Sequence, residues 1–187
     1  PENAATSIFA GNINAAVFKT SGWDLDASYS LPLEEIEEAW DGTLQFRLFT
    51  TYTKQLKRQA SRTSPVVSDN GWTDGAHPKW KANLTVNYLN DPWSVSARIR
   101  YIGHLKTGPV NTFADKKLPE MTYTDITIGR NFEAFGGDFD AYLTVNNVFD
   151  KDPPLFPGTA NPAVPYPTIL SLYDVVGRYY TVGRRFP

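Results

Sequence analysis

Six side chains carry most of the recognition chemistry in this 187-residue sequence. Asp69, Trp72, Asp74 and His77 share one short stretch, and Arg98 and Arg100 lie two positions apart. Carboxylates and an imidazole beside an indole could touch a polar ligand, and a plain surface loop is the competing reading of the same residues. Two guanidinium groups at i and i+2 of a strand project from one face, and their planar forks match carboxylate or phosphate oxygens. Arg98 and Arg100 can equally pair with acids on that face, Asp140 among them. Nothing around these residues completes a catalytic set. The sequence has no glycine-rich phosphate loop, no G-x-S-x-G elbow and no H-E-x-x-H pair. Two histidines, His77 and His104, are too scattered for a histidine metal centre, and the absence of cysteine removes thiolate sites and disulfides. The acidic run Glu34, Glu35, Glu37 and Glu38 reads as a solvated turn. The expectation is a binding protein with no catalytic residue, no metal and no cofactor.

A net charge of -2 provides no basic footprint for nucleic acid. No apolar run approaches the roughly 20 residues of a membrane-spanning helix. No charged-then-apolar leader opens the sequence; its first residues read as the interior of something longer. Ten Tyr, eleven Phe and five Trp accompany thirteen Gly and fourteen Pro, a β-rich composition.

The elements that must position the six side chains show a period of two. "SGWDLDASYSL" sets Trp23, Leu25, Ala27, Tyr29 and Leu31 against Asp24, Asp26, Ser28 and Ser30. "GTLQFRLFTTYTK" sets Leu44, Phe46, Leu48 and Tyr52 against Gln45, Arg47 and Thr51, with Phe49 out of pattern. "KWKANLTVNY", "WSVSARIRYIG", residues 122–132 (Ile126, Ile128 and Phe132 on the apolar side), "DFDAYLTVNN" and the terminal "GRYYTVGRRF" continue the series. The stretch "PLEEIEEAW" fits one short helical turn.

These strands are joined by alternating short and long connections. Residues 55–78, 105–119 and 149–176 are the long ones, and Asp91-Pro92 and residues 133–137 are short. A transmembrane β-barrel has this asymmetry, with short periplasmic turns and long outer loops. Low hydropathy is no objection, because only every second strand residue meets lipid. Aromatic residues also collect at strand ends (Tyr52, Trp80, Tyr88, Trp93), where amphipathic rings favour the membrane–water boundary. A soluble sandwich with the apolar face as its core is the competing architecture.

The sequence resembles the end of a TonB-dependent outer-membrane receptor in "NNVFDKDPP" (residues 146–154) followed by "YDVVGRYYTVGRRF" (residues 173–186). "TSGWDLDASYSL" and "HPKWKANLTVNY" with "WSVSARIRYIG" extend the likeness over nearly the whole chain. Pro153-Pro154 offers no N–H to a ladder, so pairing stops there. The resemblance implies an all-β, antiparallel meander of about seven strands, eight if residues 4–18 add one. It would form the C-terminal third of a transmembrane barrel. Such barrels have about 22 strands around a plug, so residues 1–187 would lack the plug and the remaining strands.

The implied function is TonB-dependent uptake of a scarce ligand, a siderophore, vitamin or oligosaccharide, in the bacterial outer membrane. The implied partners are outer-membrane lipid, the small-molecule ligand, TonB through the plug, and the barrel-assembly machinery. That machinery would read the last strand through Tyr180, Val182 and Phe186. Arg184 on the same face, and Pro187 after the aromatic, depart from that pattern. The alternatives are a soluble carbohydrate-binding β-sandwich and a small complete outer-membrane barrel.

Overall fold

The computed structural model describes residues 17–73, 75–108, 117–134, 137–156 and 167–185. Its strands are β1 (Val17–Pro32), β2 (Thr43–Gln59), β3 (Val67–Ser68), β4 (Trp80–Asn90), β5 (Trp93–Ile102), β6 (Leu105–Lys106), β7 (Lys117–Leu118), β8 (Met121–Ala134), β9 (Gly137–Asn146) and β10 (Tyr179–Arg185). Seven of them form one antiparallel ladder in the order β1-β2-β4-β5-β8-β9-β10, with β3 added to the end of β2. β6 and β7 pair only with each other. A single 3-10 turn, Leu33–Glu35, stands where the short helical turn was expected.

Register assembles the alternating residues into two unlike faces, because directly paired residues point to the same side. One row runs Tyr29, Phe46, Val86, Ala97, Ile126, Val145 and Tyr180 across the whole sheet. The neighbouring row on the opposite face runs Ser30, Gln45, Asn87, Ser96, Thr127, Thr144 and Thr181. On that polar face Arg47 forks onto both carboxylate oxygens of Asp26 at 3.3 and 2.9 Å.

The apolar face is not a core. Trp23, Leu25, Tyr29, Ile128, Leu143, Tyr180 and Val182 are all exposed, Val182 to 79%. Among the described residues only the two-residue strands β6 and β7 form a second sheet, too small to cover it. The sandwich alternative therefore loses its premise. Aromatic residues bound the face at both ends. Trp23, Tyr52 and Trp80 cluster at the loop end with ring centroids 5.4–5.8 Å apart. Trp93 lies at the turn end under the guanidinium of Arg130, 4.8 Å from the ring centroid. The eleven residues of β4 span this interval, about 23 Å along the normal at ~3.3 Å per residue and ~45° tilt. That matches the roughly 25 Å apolar band of outer-membrane barrels.

One expectation needs correction, at the end of β2. The long connection does not begin at residue 55: β2 runs on to Gln59, paired with Val17–Ser21 of β1. The alternation fades there because Leu56 is the single apolar residue between Lys54 and Gln59. Phe49 breaks the pattern of β2, as the sequence indicates. It takes the polar face opposite Asp26 and Asn83, while Thr50 takes the apolar one. Thr50 is buried, and its Oγ1 donates to the Lys81 carbonyl at 3.0 Å. Finally, the proposed eighth strand at residues 4–18 lies outside the described residues except for Val17 and Phe18, which belong to β1.

Candidate ligand site at the loop end of the sheet

The buried apolar residues gather where the long connections fold together. Ile102, Leu105, Leu118, Tyr123, Phe156, Ile169 and Tyr173 form one cluster. It gives the loops a hydrophobic anchor that a strand face open on one side cannot supply. Burial there pushes the Tyr173 phenol up to about 12, since the charged form would lose its water.

The motif "NNVFDK" folds as a clasp beside this cluster. Asn147 is fully buried with a positive φ of 48°. Its backbone N–H donates to Asp125 Oδ1 at 3.0 Å. Its side chain closes a ring on Lys151, with Nδ2 donating to the Lys151 carbonyl and Oδ1 accepting the Lys151 N–H, both at 3.0 Å. Asp150, also at positive φ, accepts the Arg178 N–H at 2.8 Å and faces the Arg178 guanidinium at 3.6 Å. The turn that leaves β9 is thus tied to Arg178, the residue just before β10, across a connection of about thirty residues.

A second construction joins the other two long connections. Gly71 N–H donates to the His77 carbonyl, Thr73 N–H to the Lys106 carbonyl and Lys106 N–H to the Gly71 carbonyl, at 2.7–2.9 Å. Asn70 Nδ2 donates to the Thr53 carbonyl at 2.7 Å. These bonds frame a cleft of about 350 Å³ lined by Lys54, Asn70, Trp72, Lys79, His104 and Lys106, with Ser68 and Gly71 completing its wall. Gly71 sits at φ 78°, a backbone conformation that favours glycine, with the Lys79 stem alongside it.

The six candidate residues separate into two places. Trp72 lines the cleft. Asp69 is its buried neighbour, held by Arg58 Nε at 2.7 Å. His77 supports the frame through its backbone. Asp74 lies outside the described residues. Arg98 and Arg100 instead sit on the polar face of β5. Arg100 faces Asp125 at 3.6 Å and lies over the Tyr123 ring, 5.3 Å from its centroid, so its acid is Asp125 and not Asp140. Lys54, Lys79, His104 and Lys106 were not singled out from sequence. Lys54, Lys79 and the close pair His104 and Lys106 come from three separate segments, and no local motif marks them.

Tyr180 and Val182 stand on the exposed apolar face of β10; Phe186 lies outside the described residues. Arg184 falls in register with Ala141, in the row of Trp93 and Arg130. It therefore sits at the rim of the apolar band, where a cation is tolerated.

No curated protein and no solved structure matches the chain. The family of TonB dependent receptor-like β-barrels matches residues 2–148, a family of outer-membrane receptors and transporters rather than enzymes. With its alternating turns and loops and its two-faced meander, the chain belongs to the TonB-dependent receptor β-barrel family.

Proposed function

We propose that this chain is part of an outer-membrane receptor that takes up a scarce ligand by TonB-dependent active transport. The ligand would be a siderophore complex, a vitamin or an oligosaccharide. The sheet is the observation that carries this reading. Its apolar face is exposed and bounded by aromatic rows about 23 Å apart, which suits lipid. Its polar face, with Asp26, Arg47, Arg98 and Arg100, suits a wet lumen. Among the described residues the outer edges of β1 and β10 have no partner strand, and an exposed edge invites one, so further barrel strands would pair there. On this reading residues 1–187 are the C-terminal segment of the barrel, and TonB acts through a plug contributed by the rest of the receptor. Tyr180, Val182 and Phe186 present the last strand to the barrel-assembly machinery. The long connections, with the cleft around Trp72, meet the ligand outside the cell.

Mass spectrometry on fractionated source cells tests it by tracking the tryptic peptide of residues 131–151. The expected result is an outer-membrane band several times heavier than 20.9 kDa, together with ligand uptake that an uncoupler abolishes. Recovery in a soluble band near 20.9 kDa would end the receptor reading.

A further inference from the structure

We infer that the cleft around Trp72 binds a small polyanion, a ligand with carboxylate or phosphate oxygens that also carries a hydroxyl or amine donor. This rests on the uptake reading for its biological setting and adds the charge class of the ligand.

Charge is the first argument. Lys54, Lys79, Lys106 and His104 line one opening of about 350 Å³, within the size range of small-ligand sites. Among the described residues no carboxylate lines it. The adjacent acid, Asp69, is committed to Arg58 at 2.7 Å. None of the three lysines makes an ion pair among the described residues. Ammonium groups gathered without a counter-charge repel one another, and in a cleft that field concentrates anions. The concentration is local, since the whole chain is net negative.

Asn70 is the second and independent argument. It lines the cleft and is only 4% exposed. Its Nδ2 is used by the Thr53 carbonyl, while its Oδ1 is buried without a hydrogen-bond partner. Buried acceptors are nearly always satisfied, so this carbonyl suits a donor on the ligand. The inferred ligand therefore offers oxyanions to the lysines and a hydroxyl or N–H to Asn70. Trp72 adds a flat apolar wall.

The frame is held independently of the cations. The bonds linking Gly71, Thr73, His77 and Lys106 are all backbone–backbone. Lysine head groups can accordingly be altered without dismantling the cleft, which makes a clean test practicable.

The test titrates the detergent-extracted receptor at low ionic strength and follows tryptophan fluorescence and heat. The probes are citrate, inorganic phosphate, the neutral sugar trehalose, and mixed micelles containing phosphatidic acid. Citrate supplies three carboxylates and a hydroxyl, and is expected to bind more tightly than phosphate, with no response to trehalose. Lys79→Gln with Lys106→Gln should weaken citrate by about tenfold or more. Lys79→Arg with Lys106→Arg should retain binding within about threefold, and Lys19→Gln should change nothing. Asn70→Ala should bring citrate affinity down to that of phosphate.

Binding to the phosphatidic acid micelles alone would identify the oxyanion as a lipid headgroup at the same cleft. The inference is overturned if no anion binds, or if the double glutamine variant binds citrate as wild type does. The two readings fail separately. Uptake of a neutral ligand through this receptor would refute the polyanion site and leave the transport reading standing. Citrate binding by a protein absent from the outer membrane would do the reverse.

Discussion

Replacing Asn147 tests whether the clasp at the end of β9 holds the loop layer in place. Asn147→Ala removes both side-chain bonds to Lys151, each worth about 1 kcal/mol net. It also leaves a Cβ-bearing residue without a compensating amide at φ 48°, which adds about 1 kcal/mol. The sum is about 3 kcal/mol, or roughly a hundredfold in a local opening equilibrium. Asn147→Gly tolerates the backbone conformation and loses only the bonds, about 2 kcal/mol.

Amide hydrogen exchange in detergent is the assay, read at Asp150 and Arg178. Asp150 N–H donates to the Asn147 backbone carbonyl and Arg178 N–H to Asp150 Oδ1, both at 2.8 Å. Neither variant deletes these bonds directly, so faster exchange reports loss of the clasp as a unit. Amides in the middle of β8 should be unchanged. Unaltered exchange at Arg178 in Asn147→Ala would refute the claim that this turn tethers the start of β10. Equal effects of Ala and Gly would refute the backbone part of the sum.

Other outcomes follow from the same geometry. Val86→Arg puts a charge near the middle of the apolar face and should cost about 2–4 kcal/mol in a bilayer, whereas Asn87→Arg on the polar face should cost little; urea unfolding in vesicles would separate them, and equal costs would contradict the face assignment. In the row Ser94, Gly129, Tyr142, Gly183, the Tyr142 ring lies on Gly183 where a side chain would collide with it. Gly183→Val should therefore destabilise by about 1–3 kcal/mol, and a double-mutant cycle with Tyr142→Ala should recover most of that loss. Tyr173 has its phenol raised from 10.0 to about 12 by burial. Its contribution is complete below pH 10 and lost as pH rises towards 12, about 2–3 kcal/mol in all; near-ultraviolet phenolate absorbance with and without Tyr173→Phe measures it.

The sequence by itself determined the sheet and its sidedness. A period of two is a local property, and residues such as Trp23, Leu25 and Ala27 declare a face whatever lies opposite. Short and long connections then settle which strand ends lie together, because a two-residue link allows only an antiparallel hairpin. Even the departures at Phe49 and Arg184 keep the parity of their strands. Side-chain type varied there, while the pleat did not.

Tertiary structure decided what the loops do. Beyond the apolar band β1 and β2 no longer alternate, with Val17 and Phe18 adjacent on β1 and Leu56 isolated on β2, so alternation could not mark how far the pairing extends. Lys54, Lys79 and Lys106 are more than twenty positions apart and meet because the β2–β4 and β4–β5 registers bring their segments side by side, with residues 69–77 then bonded onto Lys106. Asp125 belongs to Arg100 and to the Asn147 turn because β5, β8 and β9 are neighbours in the sheet. Periodicity encodes which side a residue takes along its own strand. Which distant side chains converge at the strand ends depends on long-range register and loop packing, and no local pattern records those.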